Sequence, residues 1–182
     1  VASTLNPMGA AADGSQSFAK LAGSATGSVV NEGKLTAAEG GYIALLGEQV
    51  RNQGVISAQL GSVALAGGSA VSLNFSGHQL LGVEVTQSTL DNLASNQQLV
   101  QANGGQVFMS AGAKNSLLAS AVNNSGTIEA QTIQEKDGRI ILLSGMAAGT
   151  TTVGGKLDAS APNGGKGRLV FRRTSLTSPC AS

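Results

Sequence analysis

Four aspartates, at positions 13, 91, 137 and 158, and one histidine, His78, are the first places to look for chemistry. Cleaving a polymer needs carboxylates grouped in a groove, either to bind a metal or to divide general-acid and general-base work. No two of these aspartates are adjacent or close enough in sequence to share a short strand. Glu129 and Glu135 flank a turn region and could approach one another, but a solvated rim is the commoner fate of such a pair. A single histidine builds neither a His-based metal cluster nor a catalytic triad, and haem capture by His78 would rest on residue type alone. Ser17 and Lys20 have the S-x-x-K spacing in which a lysine serves a serine nucleophile, without the S-D-N and K-T-G elements that complete that chemistry. Gly164 to Leu169, GGKGRL, approximates a calcium-binding glycine repeat, yet Arg168 stands where an Asp ligand is required. Cys180 is alone, so it forms no intrachain disulfide and meets no zinc spacing. The residues therefore predict no catalytic, cofactor-binding or metal-binding site, and no enzyme.

Composition narrows the scaffold that would hold any such groups. The chain has 182 residues, 41% hydrophobic and only 12% charged, with 26 glycines. Aromatics make up 3%, with no Trp, so the core must be filled by Ala, Val, Ile and Leu in a narrow interior. Net charge is +1, and no basic patch interleaved with aromatics suggests nucleic acid. Arg168, Arg172 and Arg173 read as a solvated strand end. No apolar run approaches about 18 residues, so no membrane span is expected. The first thirty residues carry no signal-peptide pattern, so the chain is expected to be a mature product or an internal piece whose export signal lies upstream.

Two half-motifs recur along the chain. The first, Asn-x-Gly-x-Ile/Leu-x-Ala, occurs at Asn31–Ala37, Asn52–Ala58 and Asn124–Ala130, with a degenerate copy at Gly155, Leu157 and Ala159. The second, Gly-x-Val/Ile-x-Leu, begins at Gly41, Gly61, Gly105 (with Met109 last), Gly138 and Gly167 (with Leu169 and Phe171). In the clearest stretch the first recurs after 21 residues (Asn31 to Asn52) and the second after 20 (Gly41 to Gly61). Apolar residues at every second position place one face of a short strand inward. Gly before each strand is expected to supply positive φ at a sharp corner, and Asn to tolerate the same left-handed conformation. A period near 20 predicts two or three short strands per coil, each coil burying its apolar face on its neighbours. A β-sandwich would not need the same corner dipeptides to recur in phase. The N-x-S sequences Asn74-Phe75-Ser76 and Asn123-Asn124-Ser125 are expected at surface corners.

Two stretches break the strand pattern. In TQSTLDNLASNQQL, residues 86–99, Ser88 and Asp91 resemble a capping box, and Leu90, Leu93, Ala94 and Gln97 share a helical face. Residues 113–121, with Leu117, Leu118 and Ala121 on one side, form a second helical candidate. Both are expected as insertions on the outer wall of the coil. Pro162, Asn163, Gly164 and Gly165 mark a loop before the last strand. The resulting division is a poorly periodic lead-in at 1–26, a repeat segment at 27–171 and a frayed tail at 172–182.

The run from Val29 to Gly77, VVNEGKLTAAEGGYIALLGEQVRNQGVISAQLGSVALAGGSAVSLNFSG, with VQANGGQVFMSAG, AVNNSGTIEAQ and KLDASAPNGGKG, resembles the filamentous haemagglutinin family of large exoproteins. That resemblance spans roughly 27–167. It implies an all-β, right-handed parallel β-helix, a secreted or cell-surface location, and two-partner secretion through an outer-membrane β-barrel. It further implies a structural or adhesive shaft that attaches to host or neighbouring cells through glycan or protein receptors. The same family includes stalks that deliver toxins, and some other β-helices degrade polysaccharides, so both stand as alternatives. The chain departs from the family's Asn-Pro-Asn type of secretion motif, carrying Asn6-Pro7-Met8-Gly9 instead.

Overall fold

A computed structural model describes residues 1–89, 92–112, 122–133, 136–145 and 150–174, and every regular element among them is a strand. In chain order these are β1 (Ala2–Ser3), β2 (Asn6–Ala10), β3 (Gln16–Ala19), β4 (Ser28–Asn31), β5 (Lys34–Thr36), β6 (Tyr42–Gly47), β7 (Gln49–Asn52), β8 (Val55–Ser57), β9 (Ser62–Gly67) and β10 (Ala70–Ser76). They continue as β11 (Gln79–Gln87), β12 (Leu93–Asn96), β13 (Leu99–Gln101), β14 (Gln106–Gly112), β15 (Val122–Asn124), β16 (Thr127–Glu129), β17 (Arg139–Gly145), β18 (Thr151–Val153), β19 (Lys156–Asp158) and β20 (Arg168–Thr174).

Three strands at a time close one coil, and five coils stack. The first strands of the coils form the parallel sheet β4-β7-β12-β15-β18, and the second strands form β5-β8-β13-β16-β19. The third strands form β6-β9-β14-β17-β20, extended at its lower edge by β1. Register carries like residues onto like: Leu35, Ile56, Val100, Ile128 and Leu157 align in one inward row. Ile43, Val63, Val107, Ile140 and Leu169 align in another, beside Leu45, Leu65, Met109, Leu142 and Phe171. Single small or branched aliphatics fill this tube, as Ala58, Ala102 and Ala130 do at a third corner, all fully buried. The parallel β-helix expected from the repeat is thus the observed fold.

The corners use the expected residue types for other reasons. None of the repeat glycines 41, 61, 105, 126, 138, 155 and 167 has a left-handed φ; that conformation falls one residue earlier, at Gly40 and Gly104 and, unusually, at Leu60 (φ 54°). What demands glycine is close approach. A Cβ on Gly61 would collide with the carbonyl of Gly41 one coil below, and one on Gly105 with the carbonyl of Gly61. The corner asparagines are not left-handed either. Asn31, Asn52, Asn96 and Asn124 stack as a buried ladder, each Nδ2 donating to the next Oδ1 at 2.7, 2.8 and 2.8 Å.

That ladder also overturns the helix expected at 86–99. Thr86 and Gln87 finish β11, Leu93–Asn96 is β12, and Leu99 opens β13. A helix there would remove Asn96, the acceptor of the buried Asn52 amide, and expose Ala94, which fits an inward row between Val50 and Val122. Tertiary stacking satisfies these groups where helical spacing alone would not. The second helical candidate, 113–121, lies outside the described residues. Strand β20 runs to Thr174, so pairing continues past residue 171. Asn74 and Asn123 sit within strands β10 and β15, not at corners.

A second sheet covers one wall of the coil. It is antiparallel, in the order β11-β10-β3-β2, and joins the lead-in to the hairpin inserted between the second and third coils. Its inner face (Phe18, Val71, Leu73, Leu80, Val83, with Leu5) packs on Ala44, Leu46, Ala64, Ala66 and Phe108 of the third-strand sheet. Sheet strands β6, β9 and β14 are therefore buried on both faces, which is why they read as continuous apolar runs. Tyr42 and Phe75 meet edge to face at 5.1 Å across the same contact.

Candidate functional site

A cluster of polar side chains ties this second sheet to the first coils. Glu48 follows β6 at a corner and is only 2% exposed. Lys20, just past β3, donates to both its oxygens at 3.1 and 2.9 Å. The Gly27 amide donates to Oε2 at 3.3 Å, and the Thr89 hydroxyl to Oε1 at 3.2 Å. Thr89 Oγ1 also lies 2.8 Å from the side-chain amide of buried Asn92. The Thr89 hydroxyl thus faces two acceptors, Glu48 Oε1 and Asn92 Oδ1, with its one proton. One carboxylate thus fastens the lead-in, the first corner and the return of the inserted hairpin. Removing Lys20 would strand the buried Glu48 carboxylate, so the pair fixes where the lead-in meets the first corner.

The residues weighed for chemistry are dispersed. Asp13 caps its own turn, accepting from the Ser15 hydroxyl at 2.7 Å and its amide at 2.9 Å, which hold its carboxyl below the usual range. Asp158 accepts from the amide of Ser160 at 3.1 Å, from Gln131 at 3.0 Å, and pairs with Lys156 at 3.0 Å. The Ser160 bonds lead in holding its pKa well below the ordinary carboxylate range, with Lys156 and Gln131 adding to them. Asp137 accepts the Lys166 amide at 3.3 Å and lines a polar cleft of about 280 Å³ with Lys136, Arg139, Gln79 and Gln106. Glu129 accepts from Gln101 at 3.0 Å and lies on a different cleft, of about 520 Å³, beside Thr127 and Lys156. The two carboxylates are not brought into one groove. Asp91, Glu135 and Cys180 lie outside the described residues.

Ser17 is exposed on β3, while Lys20 is committed to Glu48. His78 is exposed at the β10–β11 turn. The GGKGRL segment is an exposed loop entering β20, where Arg168 lies in register with Arg139. Among the described residues no three His, Cys, Asp or Glu side chains are arranged to hold a metal, and no helix is long and apolar enough to cross a membrane. Glu48 and Thr89 were not singled out from the sequence. Their partners lie 28 and 41 residues apart, and no local spacing announces such a contact.

With the stacked coils and the covering sheet in view, comparison with known families is decisive. A model of the TPS secretion domain matches residues 1–158. The chain belongs to the TPS secretion domain family. Such a secretion domain is exported across the outer membrane by two-partner secretion, and membership implies an outer-membrane transporter as its partner. The crystal structure of the HMW1 secretion domain from Haemophilus influenzae is similar, with a TM-score of 0.58 and 24% identity. That likeness is one of fold; it covers 80% of this chain and 43% of the HMW1 chain, so the present secretion domain spans under half of its length. No curated protein matches the chain.

Proposed function

We propose that this secretion domain belongs to a haemagglutinin-type adhesin and is the exported base of a structural or adhesive shaft, without turnover of any substrate. The observation that supports this reading is the last coil. Leu169 and Phe171 belong to the inward rows and are 45% and 53% exposed, so among the described residues these apolar rows reach β20 uncovered. Coils of this kind bury their apolar faces by stacking on one another, which is the geometry a shaft would use. Its flanks carry rows of Ser, Thr, Gln and Glu, such as Ser57, Gln101, Glu129 and Asp158 in register. Such rows suit shallow hydrogen bonding to glycans or proteins, with strength gained from many copies along a filament.

The test has two arms. Cells secreting the full exoprotein are compared, for attachment to epithelial cells, with cells from which its reading frame is deleted; a loss of attachment is expected, and unchanged attachment overturns the adhesive reading. The purified chain is incubated with acidic and neutral polysaccharides, with and without calcium, and no new reducing ends are expected. Cleavage that is abolished by Glu129→Gln or Asp137→Asn would establish an enzyme instead.

A further inference from the structure

Several polar side chains on the outside of the stack are paired from rung to rung. Gln53 donates to Gln97 at 3.2 Å, Gln101 to Glu129 at 3.0 Å, and Gln131 to Asp158 at 3.0 Å. The column that opens the third strands is different. Ser62, Gln106 and Arg139 stand in register there, and among the described residues neither Arg139 nor the nearby Lys136 is ion-paired. Both cations line the polar cleft of about 280 Å³, with Gln79, Gln106 and Asp137. Asp137 Oδ1 takes the Lys166 amide, and its other oxygen has no partner among the described residues. The cleft also has an apolar wall, made by Leu60 and Leu80. The Ser62 hydroxyl donates to the Leu80 carbonyl at 3.1 Å and so fastens the hairpin turn to the coil. Leu60 is left-handed (φ 54°) at a corner where the coils on either side place Gly40 and Gly104. A bulky side chain is strained there, and its methyl fills the space that a side chain on Gly104 would need. Strain of this kind, kept where glycine would relieve it, points to use at the cleft.

We propose that this cleft binds a small zwitterion, an α-amino acid with an aliphatic side chain. Each part of such a ligand has a counterpart in the lining. Its carboxylate meets Arg139 and Lys136, and a guanidinium can hold both carboxylate oxygens at once. Its ammonium meets the free oxygen of Asp137. The Gln79 and Gln106 amides supply further donors and acceptors, and the aliphatic side chain lies on Leu60 and Leu80. An anion without a donor, such as sulfate, would face Asp137 with charge against charge. A neutral sugar would leave both cations without a counter-charge. The volume lies at the small end of ligand pockets, which suits a single amino acid. The site is separate from the flank row of Ser57, Gln101, Glu129 and Asp158, and does not rest on the adhesive reading.

The test follows the backbone amide signals of Gly61, Gly104 and Gly105, which line the cleft, by proton–nitrogen correlation NMR as leucine is added to the full chain at neutral pH. Saturable shifts are expected. N-acetylleucine, which lacks the ammonium, and leucinamide, which lacks the carboxylate, should each bind about tenfold more weakly. Arg139→Gln should weaken leucine by about tenfold, whereas Asp137→Asn should weaken leucine and leave N-acetylleucine unchanged. The same spectra show whether a variant is folded. Leu60→Gly provides a route that does not depend on charge: it relaxes the strained corner and keeps the fold, yet should abolish the preference for leucine over glycine. Absence of a saturable shift with leucine overturns the proposal, as does a shift that survives both Arg139→Gln and Asp137→Asn. Sulfate or glucuronate binding as tightly as leucine would establish general anion binding and overturn it as well.

Discussion

Replacing Asn52 by Leu tests whether the asparagine ladder holds the coils in register. Asn52 is fully buried, and leucine is close to it in size, so the change is chiefly the loss of the amide. Two neighbours are then orphaned. Asn31 Nδ2 loses the Oδ1 acceptor it meets at 2.7 Å, and Asn96 Oδ1 loses the donor it meets at 2.8 Å. Each buried polar group left without a partner costs about 1–3 kcal/mol, so the expected loss is roughly 2–6 kcal/mol. Against a total stability of about 5–15 kcal/mol for a typical domain, that is a large fraction. The matched control is Asn124→Leu. Asn96 Nδ2 would still donate to the carbonyls of Gln98 at 3.1 Å and Thr127 at 3.2 Å, so nothing comparable is stranded, and about 1 kcal/mol is expected. Urea unfolding followed by the strand signal in circular dichroism measures both variants against the parent chain. Equal losses for the two, or no loss for Asn52→Leu, would refute the ladder as a source of register.

Three further outcomes are expected from the same assay. Ile56→Asp buries a carboxylate in a fully enclosed row and should cost several kcal/mol, whereas Gln53→Asp at an exposed corner should stay within about 0.5 kcal/mol; similar losses would mean the strand register is wrong. Gly61→Ala must push against the Gly41 carbonyl and should cost more than 1 kcal/mol, while Gly33→Ala, which has nothing within 4 Å, should be neutral to within about 0.5 kcal/mol; equal effects would deny the close approach of coils. Asp158 has its folded pKa depressed, so its stabilising contribution is present above the unfolded value of about 4 and is lost as pH falls from there through the folded value; Asp158→Asn should flatten that acid-side decline, and an unchanged pH profile between 7 and 3 would show that the carboxylate carries none of it.

The rows of the coil were legible because they are written locally. Leu35, Ile56 and Ile128 each sit two residues past a glycine and two before an alanine, and each occupies the same place in its rung. The third coil was misread where Gln98 replaces the expected glycine and Leu90, Leu93 and Ala94 fall at helical spacing. Asn96 is the residue that would have corrected it, but its partners Asn52 and Asn124 lie 44 and 28 positions away. Glycines 61 and 105 were placed correctly and explained wrongly, since the collision that excludes a side chain comes from the coil beneath and not from their own φ. The covering sheet left little trace. Phe18 and Leu73 alternate like any amphipathic strand, and nothing nearby states that β3 pairs with β10.

These two kinds of contact divide the work of a protein that must cross a membrane and fold beyond it. Stacked rungs need only the coil before them: β7 meets β4, β8 meets β5, and β9 meets β6. Each coil covers the apolar row of the one before it, as Leu65 and Met109 do in the row that starts at Leu45. A scarcity of charge and of large rings lets each rung fit the same narrow tube. The exceptions are concentrated at one place, where β3 waits for β10 and Lys20 and Thr89 converge on Glu48. Closing such long loops is slow relative to adding a rung. Lys20 and Thr89 lie 28 and 41 residues from Glu48, so the buried carboxylate is satisfied only where the covering sheet meets the first corner.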